Sequence, residues 1–223
     1  MWFYNNNDVS FLNSLSTDFD GVDDHITMGD VDVLTGESTA TLSAWVKVPT
    51  GNPINYAIIV FKSGEFGFFT NATSQQFIFR IQTGGGQTDL NGSLNTIFDG
   101  AWHHLCGTYD GVNMKIYEDG VLINTVAKTG TISNAATDLN IGGVGATNQW
   151  ASNIDEVALF DEVKTPSDLY NSGAPTNLAS ESGLVAWYRM GDNDTYATVT
   201  DNAGSNDGTM TNMSADDLVS ETP

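Results

Sequence analysis

The chain has 223 residues and a formal charge of −21, from 7 Lys and Arg against 28 Asp and Glu. This excess of acid repels phosphate backbones and anionic lipid surfaces, so the composition argues against nucleic-acid and membrane-surface binding. No apolar run approaches the length of a membrane span, so we expect no membrane insertion. Hydrophobic residues make up 40% of the chain, which is enough for a folded core.

The composition also indicates an all-β fold. The acid is mostly aspartate, with 21 Asp against 7 Glu, and the chain has 23 Gly. Asp and Gly favour tight turns, whereas Glu, Lys and Ala favour helices. Asp-Gly pairs begin at positions 20, 99, 110, 119 and 207, and such pairs favour the turns that join antiparallel strands. We expect a single domain, because β-sandwiches commonly reach this length.

Short runs of apolar and β-branched residues mark the predicted strands between these turns. In chain order, the predicted strands are His25 to Met28, Ala40 to Val48, Ala57 to Lys62, Phe66 to Thr70, Gln76 to Gln82, Trp102 to Tyr109, Met114 to Glu118, Val121 to Val126, Asp138 to Gly142, Asn153 to Phe160 and Leu184 to Arg189. The three strands between Trp102 and Val126 form a meander. A short helical turn is predicted at residues 166–171, with Thr165 as N-cap and Pro166 at the first helical position.

Cys106 is the single cysteine, so the sequence excludes an internal disulfide and a cysteine-based zinc site. The first residues show neither the basic nor the apolar part of a secretory signal. We therefore expect folding in the reducing compartment where the chain is made. A thiol site of Cys106 with His103 or His104 is the weaker alternative, because a small buried side chain beside a packed ring explains the same pattern.

Four segments of the chain occur in an order typical of a known family. They are Phe19 to Ile26 (FDGVDDHI), Ser43 to Val46 (SAWV), the meander from Trp102 to Gly120, and Ile154 to Phe160 (IDEVALF). In this order they resemble laminin-G-like and pentraxin-like domains of the concanavalin A-like lectin/glucanase superfamily. The resemblance implies an antiparallel jelly-roll β-sandwich of two sheets, often with a calcium ion at its rim and with binding surfaces made by loops.

One further segment departs from the family's order. Residues 183–192 and 199–209 look like the part that precedes the domain in many family members, but here they follow it. We therefore divide the chain into an N-terminal arm (1–17), a laminin-G-like sandwich (18–178) and a C-terminal segment (179–223). The C-terminal segment either closes the sandwich or contacts a neighbouring subunit. Trp2, Phe3 and Tyr4 of the arm are the residues that we expect to attach the protein to a partner.

The resemblance makes calcium the expected cofactor. Asp20, Asp23 and Asp24 fall in one loop at the end of a strand, and Asp155 resembles the family's Asp beside its closing strand. Calcium takes about six to eight oxygen ligands, largely carboxylates and carbonyls. These four residues are the predicted calcium ligands, with solvated Asp-Gly turns as the alternative.

The superfamily also contains laminarinase-type glycoside hydrolases, which carry their carboxylates at alternate positions of one strand. The nearest candidates here, Asp155-Glu156 and Asp161-Glu162, are adjacent pairs whose members point to opposite faces of a strand. No G-x-S-x-G nucleophile motif occurs. We therefore predict that the protein is not an enzyme.

Loop aromatics beside amides are the residues expected to bind a glycan. Tyr56, Asn148 and Trp150 are the candidates, with packing in the core or at an edge as the alternative for Trp150. Exposed aromatic rings stack on sugar faces in β-sandwich lectins, and amides bond the hydroxyl groups.

Laminin-G-like domains of this Asn-, Asp- and Gly-rich kind also occur in virion proteins of marine bacteriophages. The resemblance therefore implies a non-enzymatic virion structural protein, either a capsid decoration or a tail or fibre component, made in the host cytoplasm. The expected partners are other capsid or tail proteins, further copies of this chain in a homo-oligomer, and a host-surface glycan. The alternative is a carbohydrate-binding module at a bacterial cell surface, and a glycoside hydrolase comes third.

Overall fold

The computed structural model describes residues 11–48, 50, 56–71, 76–93 and 96–223, and its strands form two antiparallel sheets. Numbered along the chain, the first sheet contains β1 (Ser16–Asp20), β3 (Ala40–Lys47), β8 (Trp102–Tyr109), β9 (Asn113–Glu118), β10 (Val121–Ala127), β12 (Ala151–Phe160), β13 (Leu184–Tyr188) and β16 (Leu218–Val219). The second contains β2 (His25–Gly29), β4 (Ile58–Lys62), β5 (Phe66–Asn71), β6 (Gln76–Thr83), β7 (Gly86–Asn91), β11 (Leu139–Ile141), β14 (Thr198–Val199) and β15 (Gly208–Thr211).

The strand order confirms the predicted all-β jelly-roll sandwich. The first sheet runs β10-β9-β8-β3-β12-β1-β16, with β13 also paired to β12, and the second runs β14-β15-β2-β11-β4-β5-β6-β7. The predicted meander is β8-β9-β10. Its second turn places Asp119 and Gly120 at φ of 50° and 75°, the positive values that a two-residue hairpin turn of this kind requires.

The predicted helical turn is present as α1 (Pro166–Tyr170). Thr165 occupies the N-cap position with extended backbone, but its side chain makes no capping hydrogen bond. A single 3-10 turn at Ala215–Asp217 is the other helical element of the described residues. None of the helices in this part of the chain has the length and apolar character needed to cross a lipid bilayer.

Apolar side chains from both sheets fill the space between them. In the second sheet, the Phe68 ring packs edge to face against two other rings. Its centroid is 5.4 Å from that of Phe79 and 6.0 Å from that of Phe77. A smaller cluster on the outer side of the first sheet joins Phe160 and Trp187 to Leu169 and Leu178 of the connecting segment. The sandwich thus buries one face of each sheet against the other, as an aligned sandwich does.

The chain termini are part of this architecture. The strand β1 begins at Ser16, so the last two residues of the predicted arm belong to a sheet. Strands of the C-terminal segment enter both sheets: β13 and β16 pair in the first, and β14 and β15 pair in the second. Residues 179–223 therefore close the sandwich. The predicted attachment residues Trp2, Phe3 and Tyr4 lie outside the described residues.

Candidate ligand-binding surface

The outer face of the second sheet carries an apolar cluster that is separate from the main core. Ile58 on β4, Phe69 on β5 and Ile78 on β6 form this cluster with the partly buried Phe61. Cross-strand pairing explains it, because Ile58 lies opposite Phe69 and Phe69 lies opposite Ile78. Residues at alternate positions share a face of a strand, so the same strands supply their other side chains to the core.

Tyr56 covers one end of this cluster and remains 47% exposed. Its ring stacks on Phe69 with a centroid separation of 6.2 Å and an interplanar angle of 24°. Phe61 meets the same Phe69 ring edge-on, at 5.8 Å and 82°. The three rings therefore make a rigid apolar surface, and Tyr56 presents part of its ring to solvent.

Arg80 lies beside these rings and is held in place by Asp89. Its guanidinium carbon is 4.5 Å from the ring centroid of Phe69 and 5.7 Å from that of Phe61. Its Nε and Nη2 donate to the two carboxylate oxygens of Asp89 at 2.6 and 2.7 Å. A planar bidentate pair fixes the guanidinium over the aromatic face. Hydrogen-bond donors and acceptors are thus placed next to an apolar surface.

A pocket of about 70 Å³ opens between these side chains and the loop that ends at Asn148. Asn148 is held there because its carbonyl accepts a hydrogen bond of 2.9 Å from the backbone N–H of Ile58. We call Tyr56, Phe61, Phe69, Arg80 and Asn148 the aromatic platform. Two of its members, Tyr56 and Asn148, were predicted from the sequence, and the structure brings them to one pocket.

Trp150, the third predicted glycan-binding residue, does not belong to the platform. It is 1% exposed and packs in the core between the sheets. Its backbone N–H donates to the carbonyl of Gly142 at 2.7 Å, which turns the side chain inward at the start of β12. The sequence alternative of core packing is therefore the one that the structure supports, and Trp150 offers no stacking face to a ligand.

Asp20, Asp23 and Asp24 meet in the turn between β1 and β2. One carboxylate oxygen of each lies within 4.8 Å of the others. Asp20 is exposed, and its Oδ1 accepts the N–H of Val22 at 2.7 Å. Asp24 is buried, and burial together with the charges of neighbouring aspartates raises the pKa of its carboxyl group. A divalent cation would relieve this repulsion, and the donor set consists of the hard oxygens that calcium takes.

A model of the Concanavalin A-like lectin/glucanases superfamily, of laminin G type, matches residues 20–169. The chain belongs to this superfamily. Its fold is similar to that of a Bacteroides ovatus protein provisionally named a carbohydrate binding protein. The TM-score is 0.72 at 18% identity, over 90% of this chain and 58% of that one. The chain therefore spans less than two thirds of the length of that protein.

Two further solved structures are similar to this chain in fold. A heptameric SAP-like pentraxin from Limulus polyphemus has a TM-score of 0.50 at 15% identity, over 73% of this chain and 82% of that one. The binding domain of Paraclostridial Mosquitocidal Protein 1 has a TM-score of 0.52 at 13% identity, over 85% of this chain and 59% of that one. At these identities the likeness shows the fold alone. No curated protein matches the chain significantly.

Asp155, predicted as a fourth calcium ligand by analogy with the superfamily, lies away from the other three aspartates. Asp20 pairs with Ala151 at the start of β12. Asp155 is four residues further along β12, so it lies about 13 Å from Ala151 at about 3.3 Å per residue. Asp155 is fully buried, where it accepts hydrogen bonds of 2.8 Å from the Asn13 side chain and from the Glu156 N–H. The prediction for Asp155 is therefore wrong, because a local turn cannot reach so far along the strand.

Glu156, the other half of the acidic pair considered for catalysis, is also fully engaged. It is 4% exposed. One carboxylate oxygen accepts the Trp187 indole N–H at 2.5 Å, and the other accepts the Arg189 Nε–H at 3.1 Å. Burial raises the pKa of Glu156 to about 7, against the opposing effect of Arg189 and Trp187. The carboxylate holds β12 to the segment that follows β13 rather than facing a cleft.

Proposed function

We propose that this chain is a non-enzymatic carbohydrate-binding module whose ligand lies on the aromatic platform. The observation that carries the proposal is the half-exposed Tyr56 ring, stacked on Phe69 beside the Arg80 and Asp89 pair. A sugar ring has an apolar face and a rim of hydroxyl groups that both donate and accept hydrogen bonds. The platform offers an aromatic face, guanidinium and amide donors, and carboxylate and amide acceptors.

The fold and its neighbours support binding over catalysis. The Bacteroides protein is provisionally named for carbohydrate binding, and another neighbour is the binding domain of Paraclostridial Mosquitocidal Protein 1. Within this chain, both oxygens of Glu156 are occupied by Trp187 and Arg189. A general acid or nucleophile needs a free carboxylate within reach of the glycosidic bond.

The first test is replacement of Tyr56 with alanine. A glycan array first identifies the glycans that the parent protein binds. We expect the alanine variant to bind them at least about tenfold more weakly, because truncating an anchor residue of an interface typically costs about 1.4 kcal/mol or more. Tyr56→Phe keeps the stacking face and should bind nearly as tightly as the parent. Isothermal titration calorimetry measures both changes.

Leu122→Ala is the matched control, because Leu122 is 50% exposed on β10 of the other sheet. It should bind like the parent protein. If Tyr56→Ala and Leu122→Ala bind equally well, the platform is not the glycan site. If the parent protein binds no glycan on the array, the proposed function itself is wrong.

We also propose that the cluster of Asp20, Asp23 and Asp24 binds calcium. Calcium bound only to the folded state raises its stability, so millimolar calcium should raise the melting temperature and a chelator should lower it. Asp24→Asn keeps an acceptor for the Asp20 N–H but removes a charge, and should abolish the calcium response. Asp138→Asn, at an exposed aspartate just before β11, should keep it. A parent protein whose melting temperature ignores calcium contradicts this proposal.

The location predicted from the sequence stays a proposal. Display on a phage particle, or alternatively on a bacterial surface, would present the platform to external glycans. The described part of the predicted arm is docked on the sandwich, since Ser14 donates to Asp192 and Phe11 stacks on Trp187. Trp2, Phe3 and Tyr4, which lie outside the described residues, stay the proposed attachment residues. Mass spectrometry of purified particles, and of washed cell envelopes, distinguishes the two locations.

A further inference from the structure

The aromatic platform continues as one row of side chains across six strands of the second sheet. Cross-strand pairing aligns Thr27, Asn140, Phe61, Gly67, Arg80 and Asp89, on β2, β11, β4, β5, β6 and β7. None of these residues belongs to the core cluster between the sheets. Five inter-strand intervals of about 4.8 Å make the row about 24 Å long. The row is therefore much longer than the pocket at the platform.

Two cavities lie side by side along this row. The near cavity is the 70 Å³ pocket of the platform, which includes Phe61. The far cavity, of about 450 Å³, includes Thr27 and Asn140. Asn140 pairs directly with Phe61, so the cavities adjoin. The loop from Val144 to Asn148 borders both cavities, because Val144 and Gly145 line the far cavity and Asn148 lines the near one.

The far cavity has a mostly polar lining, in which Thr27, Ser63, Thr137 and Asn140 supply hydroxyl and amide groups beside His25 and Asp138. Asn140 is only 6% exposed, and its amide is held in a fixed orientation. Its Oδ1 accepts from the Thr27 hydroxyl at 2.9 Å, and its Nδ2 donates to the Asp138 carbonyl at 2.9 Å. Amides and hydroxyls keep further capacity to donate or accept beyond one bond each. Such a lining suits sugar hydroxyl groups.

The distribution of charge disfavours an acidic ligand on this face, since Asp138 lines the far cavity and Asp89 pairs with Arg80. The cation of the row, Arg80, is bonded through two nitrogens to Asp89. All seven Lys and Arg residues lie in the described part of the chain. Four others besides Arg80 form ion pairs with carboxylates: Lys47, Lys62, Lys164 and Arg189. Lys115 lies on β9 of the other sheet, and Lys128, which forms no ion pair within the described residues, donates to the Gly86 carbonyl at the edge of this sheet and lines neither cavity. A chain of formal charge −21 repels polyanions at long range.

We infer that this face binds a linear, uncharged polysaccharide that fills both cavities. The polysaccharide lies across the neighbouring strands β2, β11, β4, β5, β6 and β7. This inference rests on the proposed function and adds the class and length of its ligand. The platform provides stacking at one end, and the Thr27 and Asn140 cavity provides hydrogen bonds at the other. The loop from Val144 to Asn148 borders the polysaccharide at both cavities.

Chain-length dependence tests the inference. Cello-, laminari-, xylo- and manno-oligosaccharides, from disaccharide to octasaccharide, are titrated into the protein by calorimetry. We expect affinity in the bound series to rise with length by about tenfold or more, because each added net hydrogen bond or contact contributes roughly a kcal/mol. Carboxymethyl cellulose, an acidic polymer, should bind more weakly than hydroxyethyl cellulose in affinity gel electrophoresis.

Ala136→Trp is the deciding variant, because Ala136 is exposed and lines the far cavity. It should remove the gain from chain length while leaving disaccharide affinity unchanged, whereas Tyr56→Ala should weaken both. Ala174→Trp, at an exposed site outside both cavities, should bind like the parent. Disaccharides that bind as tightly as octasaccharides, an inert Ala136→Trp, or tighter binding of the acidic polymer would each overturn the inference while the proposed function stands. A protein that binds a glycan on the array but none of these oligosaccharides and polymers would also overturn the inference, whereas a protein that binds no glycan at all contradicts the proposed function itself.

Discussion

Replacement of Arg189 with methionine is expected to lower the free energy of unfolding by about 3 to 5 kcal/mol, since it leaves buried carboxylates without their partner. Arg189 is 7% exposed. Its Nε donates to Glu156 at 3.1 Å, and its Nη2 donates to Asp192 at 3.2 Å and to the Leu12 carbonyl at 2.6 Å. Methionine keeps much of the stem but none of these bonds. Urea denaturation followed by tryptophan fluorescence measures the loss.

Arg80→Met provides the matched control for Arg189→Met. Arg80 also makes a close pair, with Asp89, but the two side chains are 20% and 33% exposed. Partly exposed pairs contribute about 1 kcal/mol or less because water screens them. Arg80→Met should therefore be several times less destabilising than Arg189→Met. Equal losses for the two variants would show that burial of the Arg189 cluster adds nothing to its strength.

The same cluster fixes the N-terminal segment to the sandwich. Phe11 lies 4.5 Å below the Arg189 guanidinium and stacks on Trp187 at 6.3 Å. Ser14 donates to Asp192 through both its backbone N–H and its hydroxyl, at 2.8 and 2.6 Å. Residues 11–14 therefore depend on contacts that come from β13 and the turn after it. This connection explains why a segment that resembles a free arm in the sequence is part of the fold.

The sequence patterns predict most strands but miss those that lack an apolar run. Ala40–Lys47 and Ala151–Phe160 are predicted because long runs of β-branched and apolar residues leave few alternatives. Gly86–Asn91, with the sequence GQTDLN, carries no such run. It is a strand because its backbone pairs with β6 and Leu90 alone reaches the core. Tertiary pairing, rather than local preference, decides such edge strands.

The candidate binding residues also differ in how far the sequence predicts them. The group of Asp20, Asp23 and Asp24 is accessible from the sequence because a single turn brings its members together. The position of Arg80 beside Phe69 and Asp89 is not accessible from the sequence, because it depends on the register of β5, β6 and β7. A partial signal does exist, since alternation along β6 places Ile78 and Arg80 on the face opposite to Phe77 and Phe79. Their meeting with Tyr56 still requires the fold.

Two buried groups are expected to give the stability of the protein opposite responses to pH. Burial raises the pKa of Glu156 from 4.5 to about 7. Its stabilising contribution is therefore complete below pH 4.5 and is lost as the pH rises through 7. Burial lowers the pKa of His104 from 6.5 to about 4. Its contribution is complete above pH 6.5 and is lost as the pH falls towards 4. Between pH 4.5 and 6.5 the two responses largely cancel.

Single replacements should reveal each response separately. Glu156→Gln removes the response of Glu156 to pH. Between pH 4.5 and 6.5 the free energy of unfolding of this variant should therefore rise by about 2 kcal/mol relative to that of the parent protein. His104→Gln, which can still bond the Ser43 hydroxyl that now lies 2.8 Å from the ring, should give a fall of similar size relative to the parent. Urea unfolding at a series of pH values measures both slopes.

Comparison with the parent removes the contribution of every other titrating group, which makes the sign of each slope the decisive result. His103 is the useful reference, because hydrogen bonds to Asp119 and Asp99 raise its pKa. Its contribution is lost only as the pH rises above about 6.5, so His103→Gln should leave the slope below that pH unchanged. If Glu156→Gln and His104→Gln shift the slope in the same direction, the pKa of at least one of the two buried groups is not shifted in the direction that burial favours.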